Sequence, residues 1–278
     1  MDAKSLTPAK RADYCPPGRF WQALLSVLLL GMWLGMLLFG ASPARAEVPS
    51  IEAKSFDHYT LALTWHPGFC ASRSRPPREC RDPGLRRGTE EGFVLHGLWP
   101  SLPQRLRERG VERRRWWRQG CFIERPRPDG GFCRHPSLEL SDELARELDG
   151  VMPGRASCLG RYQYAKHAAC LDVTAEDLFD TSVALVEAVN ASAFTDFLVI
   201  HRGGEVRRNA LIEAFEAAFG KGTGRALRLE CAGRGNRLLT EVRIGIAARS
   251  LESFPAADSL VRLDRGDCAT RVRIAAFD

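Results

Sequence analysis

Six histidines carry most of the near-neutral acid–base capacity of this 278-residue chain: His58, His66, His96, His135, His167 and His201. An imidazole titrates close to physiological pH, so two of them can divide the work of giving and taking a proton. Two stand out by context. His96 follows the apolar run Phe93-Val94-Leu95 and precedes Gly97, Leu98 and Trp99, a strand-to-turn junction from which a ring can project into a cleft. His167 falls in the stretch 161–170, which has good helical propensity and neither glycine nor proline. On a helix, Gln163, Lys166, His167 and Cys170 are spaced i, i+3, i+4 and i+7 and share one face. Lys166 is one of three lysines after residue 46, beside 32 arginines. Where arginine is the default cation, a lysine next to a histidine points to a compact point charge. The plain alternative is a surface lysine beside a hydrogen-bonded histidine, and spacing alone leaves both open.

Elements able to hold these residues are legible on either side of them. Tyr59, Leu61, Leu63 and Trp65 recur at the period of a half-buried strand, which stops at the turn His66-Pro67-Gly68. Residues 71–89, rich in Arg, Pro and Gly, read as a loop stapled by Cys70 and Cys80. Gly92 to Leu95 is a short strand running into His96-Gly97-Leu98-Trp99-Pro100. Ser141 can cap a helix carrying Leu144, Leu148 and Val151 and ended by Pro153-Gly154. Thr174 with Asp177 resembles a capping box ahead of Leu178, Val183, Leu185 and Val186. A further helix fits 206–219, with Gly220 as its stop. Leu227/Leu229, Val242/Ile244/Ile246 and Val272/Ile274 alternate as strands do. Strands at both ends with helices between them predict an α+β domain: a central antiparallel sheet with helices packed against one side.

The N-terminus sets the compartment. Lys4, Lys10, Arg11 and Arg19 outweigh Asp2 and Asp13, an uncharged run extends from Phe20 to Ala41, and Ala44-Arg45-Ala46 offers a cleavage site of the A-x-A type. Residues 1–46 are therefore expected to be a signal peptide, or an anchor if uncleaved, since the run is long enough to span a bilayer. Residues 47–278 are then one exported domain, periplasmic or secreted. Removing 1–46 takes away Cys15 and leaves Cys70, Cys80, Cys121, Cys133, Cys158, Cys170, Cys231 and Cys268. With export and no C-x-x-C pair, these predict four disulfides rather than zinc ligands, in pairings that spacing does not choose. The 45% hydrophobic content excludes disorder and collagen-like sequence. The formal charge of +6 falls to +3 after residue 46, with 35 basic and 32 acidic residues, so global charge argues only weakly for a polyanionic partner. Local placement must carry that argument, at Lys166 and in the arginine-dense stretch 105–119. The latter reads as a solvated face with Trp116 and Trp117 tucked inward, against a direct nucleic-acid contact.

Phe93-Val94-Leu95-His96-Gly97-Leu98-Trp99-Pro100 resembles the first active-site signature of the ribonuclease T2 family, and Tyr162-Gln163-Tyr164-Ala165-Lys166-His167-Ala168-Ala169-Cys170 resembles the second. Their order and separation fit that family, and 61–70, 110–121 and 157–170 are most similar to its bacterial periplasmic ribonuclease I branch. The resemblance spans essentially all of 47–278. It implies that His167 is the general base on the ribose 2′-OH, that His96 protonates the departing 5′-oxygen, and that Lys166 stabilises the pentacoordinate phosphorus. It implies substrate contact at Trp99, by stacking on a base, and at Tyr162, where plant and fungal members carry a third histidine. The implied activity is cleavage of single-stranded RNA, not DNA, through a 2′,3′-cyclic phosphate to 3′-phosphate ends. No metal and no cofactor is implied, the chain is expected to be a monomer, and membrane contact is expected only through residues 1–46 if they are retained. Family habit further implies Cys231 with Cys268 and Cys121 with Cys170, leaving Cys70 with Cys80 and Cys133 with Cys158.

Two residues depart from the pattern. Gln163 stands where the family has glutamate; an amide keeps the shape and can hydrogen-bond a phosphoryl oxygen, but it carries no charge. Ala168 replaces a glycine, which costs about 1 kcal/mol if the backbone there needs a positive φ and nothing if it does not. Gln163 motivates a competing reading, an RNA-binding or structural relic with weak turnover. A zinc phosphodiesterase finds no His-Glu-x-x-His or paired ligand cluster to support it.

Overall fold

The computed structural model describes residues 55–277. The expected signal segment, residues 1–46, lies outside the described residues. The alternation read in the sequence organises a six-stranded sheet. Strands β1 (His58–Thr64), β2 (Val94–Pro100), β4 (Leu227–Ala232) and β5 (Leu238–Ala247) form its body, and β3 (Glu205–Arg207) and β6 (Arg271–Arg273) extend it. The order is β2-β1-β5-β6-β3, with β4 on β5 as well. Every ladder is antiparallel except the single parallel contact of β5 with β6 at Leu238 and Arg273, a small departure from the expected antiparallel sheet. Tyr59, Leu61 and Leu63 of β1 face Val242, Ile244 and Ile246 of β5 in one fully buried layer. The period of two then sends Thr60, Ala62, Thr64, Glu241 and Arg243 to the opposite face.

Helices cover the apolar face. α6 (Asp142–Val151) starts at Ser141, whose hydroxyl accepts the Leu144 N–H at 3.3 Å. α8 (Ala175–Asn190) starts at Thr174, which accepts the Asp177 N–H at 3.0 Å. Leu144, Leu148, Leu178, Val183, Leu185 and Val186 all enter the core that the strands line. α9 (Ala193–Ile200) and α10 (Arg208–Phe219) complete it through Phe194, Leu198, Leu211 and Phe215.

Three boundaries differ from expectation. The turn at His66-Pro67-Gly68 is the first turn of α1 (His66–Ala71), because proline fits the start of a helix, where the N–H would be unpaired anyway. The expected loop 71–89 holds two further one-turn helices, α2 (Arg78–Arg81) and α3 (Pro83–Arg86). The helix expected over 206–219 begins at Arg208, because Val206 is spent pairing with Val272 in β3. Gly220 does end it, with φ +109°. The disulfides join Cys70 to Cys80, Cys121 to Cys170, Cys133 to Cys158 and Cys231 to Cys268.

Candidate active site

His96 reaches the cleft because β2 is irregular. Leu63 pairs with Leu95 and Ala62 with Gly97, so His96 is an extra residue in a β-bulge. The bulge resets the alternation: Leu95 and Leu98 both enter the core, while His96 and Trp99, three residues apart, come together with ring centroids 5.1 Å apart, edge to face. His96 is thus within a strand and not at the strand-to-turn junction expected of it.

The second motif lies on α7 (Leu159–His167). Its inward positions Gly160, Gln163 and His167 are buried. Gln163 accepts a hydrogen bond from the Trp99 indole N–H at 2.6 Å, and the His167 ring stacks on Trp99 at 5.2 Å, 18° from parallel. Gly97 leaves room for this: a Cβ there would stand 2.6 Å from both Gln163 Oε1 and Trp99 Nε1. The helix stops at His167, so Cys170 does not share its face as the i+7 spacing suggested. Cys170 instead ties the chain just beyond the helix to Cys121. Ala168 has φ −130°, so alanine suffers no positive-φ penalty in place of glycine.

Trp99 is the centre on which both imidazoles rest, and it is only 6% exposed. One face of the ring carries His167, and the Arg243 guanidinium lies 5.2 Å from its centre, so little of Trp99 is open to a base. The accessible aromatic wall is different. A cleft of about 660 Å³ is lined by His96, Gln163, Tyr162, Phe132, Glu241 and Arg243, among others, and Phe132 stacks on Tyr162 at 4.3 Å. His167 and Lys166 do not line that cleft; His167 stacks on Trp99, which meets the lining His96, and Lys166 Nζ lies 5.8 Å from the ring of the lining Tyr162.

Electrostatics separate the two histidines. Burial pushes the His167 pKa well below the ordinary 6.5, and its neighbours Lys166 and His96 push it further, so His167 is neutral at pH 7. Burial also lowers the Lys166 pKa, with Arg127 and Arg243 adding to it. His96 Nδ1 is hydrogen-bonded to Glu241 Oε2. Burial alone would raise the Glu241 pKa, but His96 and Arg243 more than reverse this and hold it at about 2. Glu241 and Arg243 escaped the sequence reading, although charged residues alternating with Val242 and Ile244 in a long strand were a visible sign of a polar second face.

Three of the other four histidines make packing or hydrogen-bond contacts away from His96 and His167. His66 is 1% exposed and bonds Thr89 at 2.7 Å, His135 packs on Phe122 and Tyr162, and His201 bonds the Phe197 carbonyl. His66 also neighbours Cys70 and Cys80, but those sulfurs are joined to each other, which leaves one ligand for any metal. In the arginine-dense stretch, α4 (Gln104–Glu108) and α5 (Arg113–Gln119) build a small second core of Leu102, Leu106, Trp116 and Cys121. Arg105 and Arg109 pair with Glu124, each at 2.6 Å, and Arg105 also donates to the Cys170 carbonyl at 2.9 Å. Only Trp116 is tucked inward as expected; Trp117 is 43% exposed and meets Trp99 edge-on.

Comparison with known proteins agrees with the two motifs. The family model described as Ribonuclease T2 family matches residues 56–264. The chain is 37% identical to Ribonuclease I of Escherichia coli (strain K12) over 259 residues, which is 87% of this chain and 92% of that protein. It is 29% identical to a Ribonuclease of Aeromonas hydrophila over 151 residues, 54% of this chain and 52% of that one. Among solved structures it superposes on the self-incompatibility associated SF11-RNase of Nicotiana alata with a TM-score of 0.52 at 19% identity, covering 80% of this chain and all of that one.

Proposed function

Because this chain belongs to the ribonuclease T2 family, we propose that it is a metal-independent endoribonuclease that cuts single-stranded RNA by attack of the ribose 2′-OH on the adjacent phosphorus. The observation that carries the proposal is the meeting of His96 and His167 on one tryptophan, with Lys166 close enough to His167 to lower its pKa.

The steps divide the proton work between the two imidazoles. Neutral His167 takes the 2′-OH proton as the 2′-oxygen attacks phosphorus. Lys166 balances the charge that grows on the pentacoordinate phosphorus, and the Gln163 amide, where it leaves Trp99, can donate to a phosphoryl oxygen. Protonated His96 gives its Nε2 proton to the departing 5′-oxygen, leaving a 2′,3′-cyclic phosphate. In the slower second half the roles reverse: neutral His96 takes a proton from water, and His167 returns one to the 2′-oxygen, giving a 3′-phosphate. DNA lacks the 2′-OH and so lacks the nucleophile. Phe132 and Tyr162, not Trp99, are the rings we assign to base stacking. We further propose that residues 1–46 export a single monomeric domain, 47–278, to the periplasm or beyond. Four disulfides suit that compartment.

The purified domain should degrade RNA in EDTA and leave cyclic-phosphate ends, and His96→Ala or His167→Ala should each cost about 10² to 10⁴ in rate. Full activity in either variant, or dependence on a divalent ion, would refute the mechanism. Gln163 motivates one competing reading, a fold that binds RNA with little turnover. A large gain in Gln163→Glu from a nearly inactive parent would favour it, and little change would show the amide is adequate.

A further inference from the structure

β1 lies between β2 and β5, so His96 and Glu241 can touch only by reaching across a strand. The side chains at the crossing are small. Ala62 pairs with Gly97 on one side and Arg243 on the other, and Thr64 pairs with Val94 and Glu241. A longer side chain at position 62 would fill the space through which the imidazole meets the carboxylate.

The carboxylate is itself held. Arg243 Nε donates to its second oxygen, Arg243 also reaches Glu230 at 3.1 Å, and Arg228 bonds Glu230 in turn. In the β4–β5 register Glu230 stands opposite Glu241 and Arg228 opposite Arg243, pairs of like charge that would repel directly. The contacts along each strand and across the diagonal convert them into an alternating net whose last member is His96. Exposed ion pairs stabilise a fold little, and burying charges carries a desolvation cost, so stability alone does not account for this net.

We propose that Glu241 is the positioning residue for His96, a role that rests on the ribonuclease reading above: it accepts the Nδ1 proton, turns Nε2 toward the scissile phosphate, and favours the imidazolium that protonates the leaving 5′-oxygen. Glu241 stays ionised throughout; His96 loses only its Nε2 proton and keeps Nδ1–H on the carboxylate. The charged groups that face this pair are Lys166 on α7 and Arg243 on β5, with Glu230 on β4 behind Glu241, while His167 on α7 is titratable but neutral.

The test compares the wild type with Glu241→Gln and Glu241→Asp on two substrates: a dinucleoside monophosphate, and uridine 3′-(p-nitrophenyl phosphate), whose leaving group needs no proton. Glu241→Gln should cut kcat on the dinucleotide by about 10²-fold, the lower end of what a positioned acid contributes, with KM little changed. The alkaline limb of its rate profile should move to lower pH by about 1 to 3 units, because imidazolium has lost its counter-charge. The loss on the aryl ester should be much smaller, and Glu241→Asp should recover part of the dinucleotide rate. Equal losses on both substrates with the alkaline limb in place would mean a merely structural carboxylate and overturn the proposal, as would no loss at all. An NMR titration of the His96 ring in wild type and Glu241→Gln decides the ionisation independently of turnover. An unchanged His96 pKa overturns the proposal even if RNA is cut, whereas a wild type that cuts neither substrate but shows the shift refutes the ribonuclease reading and leaves the pair intact.

Discussion

Two histidines of one kind do opposite jobs only if their surroundings differ. His96 is partly open and tied to an anion, while His167 is buried, stacked on Trp99 and faced by cations. For a base the sign is favourable: a depressed pKa keeps His167 neutral, and so able to accept a proton, at pH values below the ordinary imidazole range. The acid limb of kcat/KM should therefore lie below pH 6.5, the ordinary imidazole value. Lys166→Met removes one of the charges opposing the imidazolium, so the limb should move upward toward 6.5 but not reach it, since burial is the larger cause and remains. The same variant should lose about 10²-fold in rate if Lys166 also stabilises the transition state. A pH–rate series on both proteins checks the direction, and a limb that stays put or moves to lower pH would deny the coupling. At this scale the sequence was most legible, because His96, Lys166 and His167 announce themselves by neighbours in the chain. Glu241 does not, since its meaning depends on a residue 145 positions away.

Elements decide whether those side chains meet, and here the sequence was legible in kind but not in detail. Period-two and capping signals located β1, β5, α6 and α8 and the apolar face of the sheet. They could not show the bulge at His96, because an extra residue in a strand is defined by its partner's register, not by its own composition. Nor could they show what limits α7. Gly120 sits at φ +53°, and a Cβ there would stand 2.0 Å from the Lys166 carbonyl oxygen. Gly110 has φ +78° with nothing within 4 Å of the same position. Gly110→Ala and Gly120→Ala should thus share a backbone cost of about 1 kcal/mol. Only Gly120→Ala must also displace the end of the helix that carries Lys166 and His167, and a shift of even 1 Å there costs about 10²-fold in rate. Denaturant melts and initial rates on both variants separate the effects. Equal activity in the two would mean that α7 yields without moving Lys166 and His167.

At the scale of the whole molecule, the C-terminal end of the described chain closes on the residues that follow β1. The Trp65 indole N–H donates to the Ala275 carbonyl at 2.8 Å, and Phe277 packs edge-on against His66 with the Arg86 guanidinium 4.9 Å from its ring. The Thr89 hydroxyl spends its proton on the Arg86 carbonyl at 2.8 Å, so it can only accept from His66, and the neutral imidazole carries its hydrogen on Nδ1. Protonation would add an N–H at Nε2, which faces the Cys80 sulfur at 4.0 Å and gains no good acceptor. Burial, with Arg86 adding to it, lowers the His66 pKa to about 4. Unfolded, the same ring titrates near 6.5, so between those values the unfolded chain binds the extra proton and stability falls as the pH is lowered. Across that window the loss approaches about 3 kcal/mol, with nothing lost above it and no further loss below it. His66→Gln keeps a donor for Thr89 and does not titrate, so its unfolding free energy should fall less between pH 7 and pH 4 than that of the wild type. Urea melts at the two pH values measure this directly, and parallel declines in both proteins would show that acid sensitivity resides elsewhere. The disulfides do not confound the comparison, because Cys70–Cys80 remains closed in both and lowers the entropy of both unfolded chains alike.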